Sequence, residues 1–526
     1  MADGRAEEQA ARRAANLRLG VGVACVCVAA AILYANRMFY HDDAFITLRY
    51  ARNFLAGDGL VWNPGEAVQG YTNFLFLLGV GAVASLGVGL VAASQLLGMA
   101  AWLGLVGVML TLARRGPLSS GTHPLGMLAS VLVVTSAPLI VWSVGGLEGT
   151  LFALLVTLAA ATFAAAVLSD LSPARLAASG AWFALASLTR PEGAIFFAVS
   201  LAFLLAFARV ERFRRLAAFA IPFAALTLPY LAWQLFTYGD LVPNTFYVKA
   251  SGFSLERAAR GLRYLWRYIG APPYLVPALL AAAVAAARSG KLDRVSAYFI
   301  ATTGVYLAYV VYVGGDHMHS ARLVLPVVPL LALALQRLIV SLLPRFGFPL
   351  AAAAYAVVLV LSALQLGVRP LSPAAEDNAS RVGRIVGAHI AEAWPAGSLV
   401  ALNSAGAVPF YGEGHRYIDM LGLNDRHIAR TPIGARITHW QAVPGHAKGD
   451  GDYVLSREPD YIIVGPAQGT TIETPWFLSE VQMLGDPRFR ANYRRRSVTL
   501  DTDGSTTKGE GLHFTWYEQR KSTSSR

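Results

Sequence analysis

Long apolar runs separated by short polar breaks dominate the first 367 residues, and a mixed pattern takes over after Gly367. A helix that crosses a bilayer needs about 20 mostly apolar residues. Runs at roughly 19–38, 91–113, 123–143, 149–168, 175–189, 194–208, 216–236, 273–287, 295–313, 323–343 and 348–367 approach or reach that length. A twelfth stretch, Tyr71 to Leu90, is apolar enough to be counted with them. Beyond it all, Glu376 to Ala393 has helical periodicity, and Ser398–Leu402 and Tyr461–Val464 read as buried strands.

Loop charge decides how the runs cross. Short cytoplasmic loops carry excess Lys and Arg. Arg5, Arg12, Arg13 and Arg18 put the N-terminus inside. The later basic clusters, Arg114-Arg115, Arg209 to Arg215 and Arg288 to Arg294, all become cytoplasmic only if Tyr71 to Leu90 does not cross. That stretch is therefore read as a juxtamembrane or re-entrant helix. The fold expected is a polytopic α-helical membrane protein of about 11 transmembrane helices with a C-terminal extracytoplasmic α/β domain. Residues 1–18 form the cytoplasmic N-terminus, 19–367 the membrane module with an outer loop 39–90, and 368–526 the soluble domain, joined by a linker around Pro370 to Ala375. The first run lacks an A-x-A-like cleavage site and reads as an uncleaved anchor in the plasma (inner) membrane.

Composition agrees. Hydrophobic residues make up 55% of the 526 and charged ones 14%, well below a soluble domain's roughly 25%. The net charge of +12 sits mainly between apolar runs, so it reads as topology and not as a nucleic-acid surface. Cys25 and Cys27, two apart in one apolar run, do not face each other and offer no disulfide. There is no P-loop, no G-x-G-x-x-G and no nucleophile elbow. Asn378-Ala379-Ser380 is a glycosylation sequon by pattern only, and residues 521–526 read as a disordered tail.

With that topology, the polar residues that are out of place converge on the outer side. Asp42 and Asp43 end the first apolar run, and ionisable groups at a membrane edge mark functional sites. One of them is a candidate base for a substrate hydroxyl, the other a helix N-cap. Arg49 and Arg52 can pair with that acid or hold phosphate. Trp62 to Glu66 is a turn, with Glu66 a second acidic contact. Glu148, Arg190 and Glu192 lie at helix boundaries, where mutual pairing (Arg190 with Glu148) or substrate contact are the two readings. In Tyr238 to Lys249, Lys249 is the better phosphate candidate, with Asn244 beside it. Arg257, Arg260, Arg263 and Arg267 recur at helical spacing in a basic amphipathic helix. Asp316, His317 and Arg322 suit a phosphate and a sugar hydroxyl. Zinc is disfavoured there because His317 and His319 are two apart with no further Cys or His nearby.

Together these motifs carry a resemblance. DDAFITLRYARNFLAGDGLVWNPGEAVQGYTNF, GGLEG, TRPEG, YGDLVPNTFYVK and GGDHMHSARLVLP resemble GT-C glycosyltransferases that use polyprenyl-phosphate sugars, and more specifically the mycobacterial terminal arabinofuranosyltransferases of cell-wall arabinan. The Tyr417 to Asp425 segment, YIDMLGLND, resembles a recurrent feature of bacterial GT-C proteins of unassigned substrate. The resemblance implies inverting transfer from a polyprenyl-phosphate donor, expected to be decaprenyl-phosphate arabinofuranose, to a glycan acceptor. Asp43 or Asp42 would be the base, and Lys249, Arg322 and His317 would face the leaving phosphate. No cofactor is assigned. Some GT-C enzymes use a divalent cation near the acidic pair, for which Asp42 and Asp43 would be the ligands. The rival readings are a lipid-linked saccharide flippase and a GT-C enzyme for another sugar such as mannose.

Overall fold

The computed structural model describes residues 2–114, 117–169, 171–249, 254–269, 275–367, 373, 376–433, 437–507 and 509–520. Arg115, most of the Pro370–Ala375 linker and the tail 521–526 lie outside the described residues. The chain forms two compact units. One comprises Met1–Phe39, Ser94–Leu231 and Phe253–Ala375, the other Tyr40–Ala93, Ala232–Gly252 and Glu376–Arg526. The division does not follow a single cut at 367/368, because the loop after the first helix and the segment around Tyr238–Lys249 fall with the C-terminal residues.

Among the described residues, six helices are long and apolar enough to cross a membrane: Ala14–Ala35, Leu90–Arg114, Gly149–Val167, Arg212–Tyr238, Arg294–Val313 and Arg322–Leu342. With the shorter apolar helices Phe74–Ala84, Gly193–Phe207, Leu279–Arg288 and Phe348–Leu364, they make this a multi-pass membrane protein. Large apolar side chains on Arg212–Tyr238, including Phe213, Ile221, Leu228 and Phe236, point outward, as a lipid-facing surface requires. Phe74–Ala84 has 11 residues. At 1.5 Å per residue it covers about half of the hydrocarbon core.

The run expected at 123–143 is not one helix. It divides into Leu128–Val134 and Ala137–Val144. Pro138 sits in the first turn of the second piece, where its ring is tolerated; continued from the first piece it would clash with the preceding turn. Thr135, at the break, donates to the Val131 carbonyl (2.8 Å) and meets Ser362 Oγ (2.9 Å). The interior of this first unit is aromatic: Phe163 packs on Tyr298 at 4.8 Å, and Phe196 on Tyr306 at the same separation.

The second unit is built on a five-stranded sheet of order β2-β1-β3-β5-β4. Its strands are β1 Leu399–Leu402, β2 Arg416–Asp419, β3 Tyr461–Ile462, β4 Tyr493–Leu500 and β5 Leu512–Gln519. β1 pairs in parallel with β2 and β3, while β5 is antiparallel to β3 and β4. Ala401, Ile418, Ile462, Val464 and Met483 form a core of nearly inaccessible side chains. The helix before β1 is Asn378–Ala393, capped by Asp377, whose carboxylate accepts from the Ser380 N–H.

The 40–73 segment is part of this unit's fabric. Asn63 exchanges two bonds with the Tyr417 backbone, Nδ2 donating to its carbonyl (2.7 Å) and Oδ1 accepting its N–H (3.1 Å), much as a neighbouring strand would. Tyr50, fully buried in the helix Ala44–Ala56, donates to the Val68 carbonyl (2.7 Å) and accepts the Gly70 N–H (2.8 Å). Gly70 is obligatory, since a Cβ there would lie 1.9 Å from Asn424 Oδ1.

Candidate active site

Asp42 and Asp43 are adjacent in sequence and part company in structure. Asp42 is buried, and its Oδ1 accepts the N–H of Ala407 (2.8 Å), the first residue of the helix Ala407–Tyr411 after β1. Its own N–H points to Asp377 Oδ2 (3.3 Å). Gly406 lies so close that a Cβ would meet the Asp42 carbonyl oxygen at 2.2 Å. Burial pushes the Asp42 carboxyl up from 3.8 to about 7; the Ala407 N–H opposes the rise, while Asp43 and Asp377 add to it. Loops at the carboxyl ends of parallel strands, where the strand order reverses, are where α/β sheets take ligands. Here Asp42 occupies that end of β1. Asp43 is half-buried at the N-cap position of Ala44–Ala56, and its carboxylate makes no capping bond. Neither acid thus caps its own helix through its side chain, contrary to the sequence expectation. The N-cap geometry explains it, since Asp43 is already helical in φ and ψ, where a cap is extended.

Arg49 is also reassigned. It is buried, and its guanidinium donates to the carbonyls of Trp62 (2.7 Å), His415 (3.1 Å) and Pro409. It packs against both aromatic rings, 5.3 Å from the Trp62 centroid and 4.9 Å from that of Tyr417. Burial pulls it down to about 10. Its hydrogen bonds hold the helix Ala44–Ala56 to the 409–417 turn as a structural clamp. Arg52 likewise donates to the Phe410 carbonyl (2.7 Å) and pairs with Glu413 (2.8 Å). Asn244 donates to the carbonyls of Gly422 (2.8 Å), Leu423 (3.2 Å) and Asp425 (3.0 Å), a positioning role within the same unit. Lys249 is exposed at the end of the helix Asn244–Lys249.

In the first unit, three motifs far apart in sequence meet. Arg190 bridges Glu148 and Glu192 (2.9 Å to the latter), and Tyr309 donates to Glu192 (3.2 Å). The Arg190, Glu148 and Glu192 side chains are largely buried. Close by, Arg322 packs near Gly149, and its fork grips Asp316 Oδ2 through Nε (2.9 Å) and a terminal nitrogen (2.7 Å). Asp316 Oδ1 accepts the His317 N–H (2.8 Å), and the His317 ring is 41% exposed, the open side of the cluster. The loop is strained. Ser320 and Ala321 both have positive φ, and Trp142 Nε1 pins it by donating to the His319 and Ser320 carbonyls (both 3.1 Å). Strain of this kind costs about 1–3 kcal/mol per residue and collects at functional sites.

Among the described residues, no three His, Cys, Asp or Glu side chains converge to hold a metal ion. One oxygen of Asp42 is already committed to Ala407.

Two groups escaped the sequence reading. Asp377 neighbours Asp42, and its signal was an Asp-Asn helix start. Asp419 is wholly buried in the YIDMLGLND segment and pushed up to about 6 by burial, against bonds from the Asn424 and Leu421 amides. An acid inside an apolar strand was the clue.

The apolar helices define a class, a polytopic α-helical membrane protein. The chain superposes on the crystal structure of ArnT from Cupriavidus metallidurans bound to undecaprenyl phosphate with a TM-score of 0.52, at 16% identity, covering 76% of this chain and 86% of that one. The apo form of ArnT gives 0.50 at 15% identity, over 75% and 84%. In sequence, the chain is similar to terminal beta-(1->2)-arabinofuranosyltransferases. That of Corynebacterium glutamicum is 29% identical over 343 residues, 56% of this chain and 47% of the relative. That of Mycobacterium tuberculosis is 29% identical over 335 residues, 56% and 52%. The chain thus spans about half the length of the curated relatives it matches. Residues 371–517 match a family described as a domain of unknown function, DUF8728.

Proposed function

We propose that this protein is an inverting membrane glycosyltransferase that moves a sugar, arabinofuranose by its relatives, from a polyprenyl-phosphate donor such as decaprenyl-phosphate arabinofuranose to a hydroxyl of a cell-envelope glycan. The observation that carries the reading is Asp43: a half-buried carboxylate at the N-cap position of Ala44–Ala56, next to the buried Asp42, in a chain with the fold of a protein crystallised with undecaprenyl phosphate. Asp43 takes the acceptor hydroxyl's proton while that oxygen attacks the anomeric carbon from the face opposite the donor phosphate. The anomeric carbon–oxygen bond breaks, and its electron pair leaves with the phosphate, which needs positive charge and no general acid. Lys249 and His317 are the proposed phosphate contacts, with Arg322 fixed by Asp316 behind His317. Glu148, Arg190 and Glu192 hold the neighbouring helix ends. We also propose a cytoplasmic N-terminus, about 11 crossings, and an outer-side acidic pair and C-terminal sheet, from the loop charges.

The test is purified protein, wild type and Asp43→Asn, given a panel of polyprenyl-phosphate sugars and a glycan acceptor, with product read by mass. Transfer by the wild type should fall about a hundredfold or more in Asp43→Asn. Undiminished transfer in Asp43→Asn would overturn the base assignment. No transfer with any donor would overturn the enzyme reading.

A further inference from the structure

A cavity of about 750 Å³ opens in the second unit between the Glu66–Val68 turn and the segment from Asn424 to Arg457. This lies in the roughly 300–1,000 Å³ range of small-molecule sites. The acidic pair does not line it. Its wall is set by Asp419, whose carboxylate collects the N–H groups of Leu421 (3.0 Å), Gly422 (3.2 Å) and Asn424 (2.8 Å) and the Asn424 amide (3.0 Å). The YIDMLGLND motif is thereby a folded bracket that presents Asn424 and Asp425 to the cavity.

The lining is charged but balanced. Glu66, Asp425 and Asp450 face Arg426, Arg430 and Arg457. Each guanidinium already has a partner. Arg430 pairs with Asp240, Arg457 donates to Tyr453 Oη (2.7 Å), and Arg426 donates to the Ala67 carbonyl (3.1 Å). Tyr453 Oη in turn donates to Asp425 (3.1 Å). The His427 ring lies flat on Tyr453, with centroids 4.0 Å apart and 14° between planes, and Asp450 fixes its Nε2 at 2.9 Å. Half of the His427 side chain is exposed, so a flat ring face is on offer.

We propose that this cavity binds a neutral stretch of the acceptor glycan, as a subsite apart from the acidic pair. The proposal rests on the glycosyltransferase reading for the acceptor's being a glycan. Sugar hydroxyls each donate and accept, which suits alternating fixed carboxylates and guanidiniums. A furanose or pyranose ring turns a C–H face to a flat aromatic one, here the His427–Tyr453 stack. The polar groups are already ordered by one another, so binding costs little further ordering. An anionic ligand would have to compete with the partners the arginines already hold.

Full-length protein in detergent, without donor, is titrated calorimetrically with arabinofuranose oligosaccharides, using wild type, His427→Ala and Glu66→Gln. Both substitutions are at partly exposed positions, and each variant checks the other should one fail to fold. Wild type should bind saturably, and each variant should bind about tenfold more weakly or worse. In transfer assays, His427→Ala should raise KM for a long acceptor more than it lowers kcat. Absent binding to wild type, equal binding by the folded variants, or displacement by inorganic phosphate each overturns the proposal. Cavity-dependent binding without transfer from any donor would leave this site standing and sink the enzyme reading. Transfer with cavity-independent binding would do the reverse.

Discussion

Replacing Asp42 by Asn tests how the acidic pair is divided. The variant keeps an oxygen to accept the Ala407 N–H and removes the ionisable group. Burial lifts Asp42 from 3.8 to about 7, which corresponds to about 4 kcal/mol. Because the folded pKa is raised, the favourable linkage is fully present below pH 3.8 and is lost as pH rises toward about 7. Between about pH 5 and about pH 8 the wild type should therefore lose about 3 kcal/mol that Asp42→Asn retains. In apparent Tm that is roughly 5–10 °C for a cooperative unit of this size. The assay is thermal unfolding in detergent followed by tryptophan fluorescence, taken as variant minus wild type at each pH. The variant should gain stability toward high pH. If it melts below wild type by the same amount near pH 5 and near pH 8, Ala407 needs a charged acceptor and the reasoning fails.

Arg190→Met leaves Glu148 and Glu192 buried without their cation and should cost about 3–5 kcal/mol, read as a lower apparent Tm; wild-type melting would show that the cluster is dispensable. Gly406→Ala drives a Cβ to 2.2 Å from the Asp42 carbonyl oxygen and should destabilise by roughly 1–3 kcal/mol, with limited proteolysis reporting loosening of the second unit. In a background lacking Cys25 and Cys27, single cysteines at Arg114 and Glu376 should label from opposite sides of the membrane, and labelling from the same side would defeat the loop-charge topology.

The long helices and strands β1 and β3 were legible because their signals are local, an apolar run of membrane length or a short apolar run between turns, whereas β2, β4 and β5, with more polar patterns, were not. Strand β1 and the helix Asn378–Ala393 fall within a residue or two of where the pattern puts them. Arg49's contacts were not legible, for the opposite reason. Its fate is decided by Pro409 and His415, some 360 residues further on, and no local rule connects them. Asn244 is the same case, since the carbonyls it holds belong to a loop near residue 422. The break at Thr135–Ser136 was readable in principle from Pro138, but a continuous apolar run hid it. Charge was the better guide. Arg190 with Glu148 was foreseeable because buried opposite charges at two helix ends have few alternatives.

Two adjacent carboxylates at a membrane edge pose an electrostatic problem, and the fold offers a specific answer to it. Were both ionised, each would raise the other's pKa, and neither would be a dependable base. Buried on the Ala407 amide, Asp42 stays largely protonated below about pH 7, so the pair carries close to one charge and not two. With Asp42 largely neutral, Asp43 is the acid of the pair left for the proposed proton transfer. The tie between Asp42 and Ala407 also anchors the Asp43 backbone to the loop after β1, within the same unit that carries the proposed glycan cavity. Asp42→Asn should accordingly keep much of the transfer activity and flatten its dependence on pH near neutrality, whereas Asp43→Asn should lose it. A variant pair with the opposite ranking would make Asp42 the base and leave Asp43 as its neighbour.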